Sequence, residues 1–453
     1  MRQAIKLSVP LALLVACIAQ APAAEKPGEL ARRQAICDAA SKAFLAADYD
    51  KLEATSTQYR KAKERLPSGV WKLSNFYCGI YQAVHQPRKD REARFAMLEN
   101  AAKQWTQKYP HSPAAHITYG GILVSHGWAF RGSGYASTVR KEDWEPFFRY
   151  LARGRDYLQK HKAIAAADPQ WYVSMLGIAR AEGWKEERFE ALLNEALERE
   201  PLFYQTYFEA LENLLPKWSG SLLEIERFAQ AAVRRTSAQE GRGMYARIYW
   251  YAAQTQYGNG LFMQSNVVWP SMKAGFDDVV ARFPDPWNLN NYAKFACLAR
   301  DRSTTREILR RVGGDVVPEA WQPEVLFKQC SEWVATAPAE PAVNTAWSSR
   351  APIPVSPPPG IVFSHFPRST DIEWQPVPGA ASYSVEIDCM HCCVKDKWCA
   401  DVGKTFRLVP RIAATTYHFE WVGANGGRWR VWAVAPDGRE SAKTAWQEFT
   451  YTQ

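Results

Sequence analysis

Four of the chain's nine cysteines lie close together near the C-terminus, and their spacing is the feature that most resembles a chemical site. They are Cys389, Cys392, Cys393 and Cys399, in the segment IDCMHCCVKDKWC. Thiols at this spacing could form a redox centre, a zinc site or two disulfide bonds. Each possibility requires a different setting, so the choice depends on the elements around the segment and on the compartment.

The setting favours disulfide bonds. A C-x-x-C redox motif such as Cys389–Cys392 works from the start of a helix, which lowers the pKa of the thiol, whereas this motif ends a predicted strand. Zinc ligands usually come as two well-separated pairs. Two disulfides need only an oxidising compartment and an even number of cysteines. We therefore predict two bonds that stabilise a long loop, with no metal and no cofactor.

The pairing within this cluster stays open. Adjacent Cα atoms are about 3.8 Å apart, less than the roughly 4.4 Å that a disulfide requires, so Cys392 is not expected to pair with Cys393. Cys389 therefore pairs with one of these two residues, and Cys399 pairs with the other.

The other cysteines suggest one bond near each end of a helical region. Cys297–Cys330 is the better supported bond, because one helix-turn-helix unit could bring these residues together. Cys37 and Cys78 would form the other bond, and four buried free thiols are the alternative.

The first residues predict export. Arg2 and Lys6 precede a short apolar run, and Ala21–Ala23 forms an Ala-x-Ala cleavage site. We predict a signal peptide over residues 1–23 and a mature protein that is periplasmic or secreted. LVAC resembles a bacterial lipobox, in which Cys17 would carry the lipid. That alternative is the only membrane attachment that we expect.

The charge distribution argues against a nucleic-acid partner. The net charge is +9, and loss of Arg2 and Lys6 removes two of these charges and leaves +7. The excess lies before residue 336, where basic residues alternate with acidic ones instead of forming a patch. We predict no binding to nucleic acid.

Residues 24–335 have the apolar periodicity of helices. Asp168-Pro169 begins one such pattern, and Glu200-Pro201 begins the next about 32 residues later, close to the period of tetratricopeptide-type repeats. Ser112-Pro113 and Asp285-Pro286 look like further starts at irregular spacing. We predict a degenerate, tetratricopeptide-like all-α repeat array, with a plain helical bundle as the alternative.

The composition changes after this region. Residues 336–360 are rich in Pro, Ala and Ser and are predicted to be an extended linker. From residue 361 to residue 453 the period falls to two, as in SYSVEID and RWRVWAV, which is typical of half-buried strands. We predict an all-β sandwich there.

Both regions resemble known families. HGWAFRGSGYAS, LPKWSGS, GMYARIYW and VVWPSMKAGFDDVV together resemble an uncharacterised bacterial helical-repeat family without established activity, over residues 35–335. DIEWQPVPGAASYSVEI and the strands after it resemble a fibronectin type III domain over residues 361–453. That resemblance implies a core position for Trp374 and, for Tyr417, a hydroxyl that holds a crossover loop. The cysteine-bearing insert after Ile387 departs from the fold.

Candidate binding residues in the helical region are aromatic and basic side chains in or near the family-like stretches. Helical repeats present concave surfaces, and Trp and Arg contribute most to binding energy at interfaces. The candidates are Trp128, Arg131, Trp218, Arg247, Trp250 and Lys273. Core packing is the alternative for the tryptophans.

The strand RWRVWAV supplies a second candidate surface. Its alternation predicts that Trp429, Val431 and Ala433 face the core. We then expect Arg428, Arg430 and Trp432 on the outer face, with the indole exposed between guanidinium groups. Such a ladder either shields the sheet or binds a partner.

The sequence contains no complete catalytic motif that we recognise. We expect an exported, non-catalytic binding or scaffolding protein of the bacterial envelope, whose partner is a protein or an envelope polymer. The alternative is an envelope hydrolase with its site in the helical groove and the sandwich as an accessory module. Asp, Glu and His side chains converging in one groove pocket would favour the hydrolase.

Overall fold

The computed structural model describes most of the chain. The described residues are 27–85, 90–134, 136–218, 220–323, 325–335, 347–365 and 368–452. The predicted signal peptide, Cys17 and residues 336–346 of the predicted linker lie outside them. Within them, no helix combines the length and apolarity needed to cross a membrane.

The described N-terminal region, up to Ala335, is helical, as predicted. Its helices are α1 Glu29–Leu45, α2 Tyr49–Ala62, α3 Lys72–Val84, α4 Arg91–Lys108, α5 Pro113–Arg131, α6 Trp144–Lys160, α7 Lys162–Ala165, α8 Gln170–Ala181, α9 Glu186–Arg199, α10 Tyr204–Leu214, α11 Leu222–Glu240, α12 Gly243–Ala252, α13 Leu261–Gln264, α14 Trp269–Arg282, α15 Pro286–Leu298, α16 Arg302–Val312 and α17 Val325–Ala335.

Local sequence signals explain where several helices begin. The Ser112 hydroxyl accepts a hydrogen bond from the backbone of Ala115, and Pro113 occupies the first helical position of α5. The Asp168 carboxylate accepts a hydrogen bond of 2.9 Å from the backbone N–H of Gln170, the first residue of α8. These starts agree with the predicted ones.

The described residues fall into two compact units. One contains the residues up to Asn213 together with Phe283–Asn288, and the other contains Leu214–Arg282 together with the residues from Leu289 onward. Each unit is described separately below.

In the first unit, α5 and α6 pack at very short range because glycines face each other. A Cβ atom at Gly127 would lie 2.9 Å from the carbonyl oxygen of Phe147, and one at Gly154 would lie 3.1 Å from that of Gly120. No larger residue fits at these positions without a shift of the backbone. This contact fixes the C-terminal end of α5 against the start of α6.

In the second unit, a disulfide joins two helices. Cys297 of α15 is bonded to Cys330 of α17, with 5.9 Å between the Cα atoms. This is the pair that the spacing favoured.

The C-terminal region is a β domain, as predicted. Its strands are β1 Pro354–Ser356, β2 Ile361–Phe363, β3 Ser369–Trp374, β4 Ser382–Val394, β5 Lys397–Trp398, β6 Arg407–Ile412, β7 Thr416–Glu420, β8 Gly426–Val434 and β9 Gln447–Tyr451. One sheet has the order β1-β3-β7, and the other has the order β2-β9-β8-β4-β5, with β6 also paired to β4. All pairs are antiparallel except β2 with β9.

The core of the β domain follows the predicted alternation. Trp429, Val431 and Ala433 of β8 are fully buried, and Trp374 of β3 is 1% exposed in the same cluster. The tyrosine prediction was wrong. Tyr417 lies within β7 opposite Ile372, and among the described residues no hydrogen bond involves its hydroxyl.

The predicted linker also differs from expectation in its described part. β1 pairs with β3, and the Trp347 side chain packs against the core of the β domain. Gln375 donates a backbone hydrogen bond of 2.8 Å to Ile353. A Pro-rich extended chain also suits an edge strand, because Pro cannot supply the donors of a central one.

Candidate functional site

Two of the predicted binding residues, Trp128 and Arg131, lie beside a further tryptophan at the end of α5. The Arg131 guanidinium carbon lies 5.1 Å from the ring centroid of Trp128 and 5.8 Å from that of Trp144, the first residue of α6. Its Nη1 also donates to the carbonyl oxygens of Gly132 and Gly134, at 3.0 and 2.7 Å. The guanidinium is therefore held over two indoles by the loop that follows α5.

An exposed ring extends this group. Phe148, one turn along α6, stacks on Trp144 with 5.7 Å between ring centroids, and its side chain is 46% exposed. Phe147 beside it is 2% exposed and packs edge-on against Trp128 at 5.1 Å. We call Trp128, Arg131, Trp144 and Phe148 the α5–α6 aromatic patch.

The patch carries a partly desolvated positive charge. Burial lowers the pKa of Arg131 from its ordinary value, which still leaves the guanidinium charged at neutral pH. A guanidinium over aromatic faces keeps donors available while it shields the rings. Such a group suits a partner that offers both an apolar face and acceptor oxygens.

Next to the patch, on the same helix, His126 lies in a closed environment. Its ring stacks between Phe95 at 4.2 Å and Tyr150 at 3.9 Å, and its side chain is 3% exposed. Nδ1 lies 3.1 Å from Glu99 Oε1. Nε2 lies 3.2 Å from Glu92 Oε2 but outside hydrogen-bonding geometry.

Glu99 keeps its charge in this environment. Burial raises the pKa of its carboxyl, but the hydrogen bond with His126 and the charge of Arg153, 3.3 Å away, outweigh burial and lower it overall. The Glu99 carboxylate therefore orients the imidazole through Nδ1. The stacked rings leave it little contact with solvent.

Sequence reasoning missed Trp144 and Phe148. The signal was present as EDWEPFFRY, an aromatic run at a helix start, but it gives no indication that this start lies against the end of α5. That contact depends on the short-range packing at Gly127 and Gly154.

Two of the four helical candidates in the second unit are buried, and the other two are half-buried. Arg247 and Trp250 on α12 are 4% and 7% exposed, and Trp250 packs against Phe276 with 5.9 Å between ring centroids. Lys273 forms an ion pair of 2.9 Å with Asp277, and Trp218 is half-buried in a short 3-10 turn. The structure thus places Arg247 and Trp250 in the core, where they cannot contact a ligand in this conformation.

The outer face of β8 carries a ladder of alternating cations and indoles. The Arg428 guanidinium lies 4.4 Å from Trp398 and 4.5 Å from Trp446, and that of Arg430 lies 4.2 Å from Trp446. Carboxylates fix both arginines: Arg428 pairs with Asp388 and Asp401, and Arg430 pairs with Glu386.

The expected exposure of Trp432 was wrong. It lies on the outer face, but it is 4% exposed, because Lys443 covers its ring at 4.0 Å. Lys443 and Trp446 belong to the segment that precedes β9 and folds over this face. The coverage of Trp432 by Lys443 agrees better with a ladder that shields the sheet than with a binding platform.

The cysteine cluster forms two disulfides at the end of β4. The pairs are Cys389–Cys392 and Cys393–Cys399, one of the two patterns left open above. Cys389 and Cys399 have no exposed surface. In the described part of the chain, no group of three or more His, Cys, Asp or Glu side chains is arranged to hold a metal ion.

Comparisons with known proteins add little. The chain matches no protein-family model and no curated protein. Among solved structures it is similar to an Fn3-like protein from Clostridium thermocellum, with 21% identity and a TM-score of 0.17, and the match covers 23% of this chain and 97% of that chain. The helical region followed by a β domain is therefore established from the structure itself, and the function has to be argued from the residues.

Proposed function

We propose that the protein is an exported binding or scaffolding protein of the bacterial envelope, in which a tetratricopeptide-like helical array is joined to a fibronectin type III-like sandwich. The α5–α6 aromatic patch is the surface that contacts the partner. A protein segment or an envelope polymer that offers apolar and oxygen-bearing groups fits this surface.

The observation that carries the proposal is the exposed Phe148 on a stack that ends in Arg131. A large apolar ring that is 46% exposed loses the benefit of burial unless a partner covers it. The packed indoles and the guanidinium beneath it give a rigid base, so little side-chain entropy is lost on binding.

Export is supported by the disulfides. Six of the described cysteines are paired, and disulfides persist in oxidising compartments. The helix starts at Ser112-Pro113 and Asp168-Pro169 support the repeat interpretation, because each begins a helix at a position where the pattern restarts.

The test compares two exposed aromatic residues of the first unit. Immobilised full-length protein is incubated with purified peptidoglycan and, separately, with a solubilised envelope fraction from its own cells. Phe148→Ser should reduce the captured partner at least about tenfold, since truncation of a hot-spot residue costs about 2 kcal/mol or more. Tyr81→Ser is the matched control, because Tyr81 is 62% exposed and lies on α3, outside the patch.

Equal capture by both variants would contradict the proposal. The melting temperatures of both variants are measured as well. If they are unchanged, a loss of capture reflects the surface and not the fold.

A second candidate, an envelope hydrolase, rests on His126 with Glu92 and Glu99. The imidazole sits between two carboxylates, as a general base would, but its 3% exposure leaves no direct access for a substrate. His126→Gln keeps a polar side chain of similar reach. A hydrolase would lose release of soluble fragments from envelope polymers with this variant, whereas a binding protein would keep its partner capture.

A further inference from the structure

Two thiols that are not part of a disulfide meet in the first unit. Cys37 on α1 is buried, with 2% exposure, and Cys78 on α3 is exposed. The helices that carry them pack directly against each other at this level. The other described cysteines are all paired, so these are the free thiols of the described residues.

The helix backbones touch at this level. A Cβ atom at Gly79, the residue after Cys78, would lie 2.2 Å from the carbonyl oxygen of Cys37 and 2.8 Å from Cβ of Ala40. Only a glycine allows such an approach. A disulfide requires Cα atoms about 4.4–6.8 Å apart, so it can bridge two helices only where they pack this closely.

The two thiols differ in reactivity. The neighbouring Cys37 thiol lowers the pKa of Cys78 to about 7, and Cys78 together with burial raises the pKa of Cys37. At neutral pH a larger share of Cys78 is therefore thiolate than the few per cent expected of an ordinary thiol with a pKa of about 8.5. The exposed Cys78 sulfur is the nucleophile, and the buried Cys37 sulfur can attack only the sulfur of Cys78 once that sulfur is part of a mixed disulfide.

We propose that Cys37 and Cys78 form a reversible thiol–disulfide exchange site for low-molecular-weight disulfides. The close packing of α1 against α3 and the unequal exposure of the two thiols carry this inference. It is independent of the proposed function, because it involves neither the α5–α6 aromatic patch nor the β domain.

The exchange proceeds in two balanced steps. The Cys78 thiolate attacks one sulfur of R–S–S–R, which forms a mixed disulfide and releases RS⁻. The Cys37 thiol then loses its proton and attacks the sulfur of Cys78, which forms the Cys37–Cys78 bond and releases the second RS⁻. The protein loses two electrons and two protons, and the small disulfide becomes two RSH. Excess RSH reverses both steps.

The experiment equilibrates the full-length protein in buffers of graded reduced-to-oxidised glutathione ratio. Free thiols are then alkylated and located by peptide mass. We expect a peptide cross-linked between residues 37 and 78 in oxidising buffer, without bound glutathione. This bond should open at a less reducing ratio than the other three, because Cys78 is an exposed and good leaving group.

Two variants distinguish the roles. Cys37→Ser should retain one glutathione on Cys78, since the resolving sulfur is absent, and iodoacetamide should modify its Cys78 at least about tenfold faster than Cys37 reacts in Cys78→Ser. Cys78→Ser should take up no glutathione.

The proposal is overturned if the native wild-type protein keeps both thiols free in oxidised glutathione, or if it retains a stable glutathione adduct. It is also overturned if the Cys37–Cys78 bond opens at the same glutathione ratio as Cys393–Cys399. Equal alkylation rates in the two variants would also overturn it. The wild-type measurement stands by itself should either variant fail to fold.

Discussion

Asp168 is a carboxyl placed where water cannot reach it. Its Oδ2 accepts 2.8 Å from the Tyr77 hydroxyl, its Oδ1 accepts 2.9 Å from the backbone of Gln170, and Arg60 lies 4.0 Å away. Burial raises its pKa to about 6, and these partners offset only part of that cost. The residue lies just before α8, and its burial as a carboxylate costs stability at neutral pH.

This burial predicts a pH dependence. Between about pH 4 and about pH 6 folded Asp168 keeps a proton that the unfolded chain has released, so its contribution to stability falls as pH rises through that range. Asp168→Asn keeps the hydrogen-bonding shape but does not titrate. The wild type minus variant difference in unfolding free energy should fall by about 2 kcal/mol between pH 4 and pH 7 in urea titrations. A difference that is flat or rises with pH would refute the assignment.

Trp432 belongs to the structural ladder. Trp432→Ser should lower the unfolding free energy of the β domain by about 3 kcal/mol, because a buried indole leaves a cavity and Lys443 loses its cation–π contact. Partner capture should be unchanged. Val422→Ser, at a side chain that is 74% exposed, is the control and should leave stability unaltered. Reduced capture with an unaltered melting temperature would instead make the ladder a binding platform.

At the scale of elements, helix pairs in the first unit depend on close backbone contact. Gly79→Ala should destabilise the protein by about 1–3 kcal/mol, because its methyl group would overlap the carbonyl of Cys37. Gly121→Ala is the matched control within a helix: nothing lies within 4 Å of its Cβ position, so the higher helix propensity of Ala should stabilise by up to about 1 kcal/mol. Thermal and urea unfolding measure the change in stability of both variants. Equal changes in the two variants would contradict the packing argument.

The sequence predicted features that depend on neighbours in the chain. Ser112 and Pro113 predicted the start of α5, and the alternation around Trp429 predicted the core face of β8. It did not predict that Lys443 covers Trp432, since the two belong to different elements. Nor could it place Arg131 over Trp144, because that contact exists only once α5 and α6 have packed. Nor could it settle whether Arg247 and Trp250 are exposed, because α12 becomes buried on nearly all sides only once its neighbours have packed.

At the scale of the whole molecule, we predict that the helical region and the β domain fold independently. A protease site introduced within residues 338–345 should release two soluble pieces that each melt cooperatively. A cut between Pro352 and Pro359 should lower the melting temperature of the β piece, because it detaches β1 from β3. Calorimetry of the separated pieces checks this. Loss of either transition after the first cut would refute independent folding.

The central claim is that the α5–α6 aromatic patch contacts a partner in the envelope, and a photo-crosslinker at Phe148 tests it most directly. Benzoylphenylalanine replaces Phe148 in one protein and Tyr81 in another, and both are irradiated in the native cells. These rings are 46% and 62% exposed, so random encounters should label both. We predict a discrete adduct from position 148 that is absent from position 81 and disappears when Arg131→Ala is added. No adduct at position 148, or the same adducts at both positions, would contradict the account.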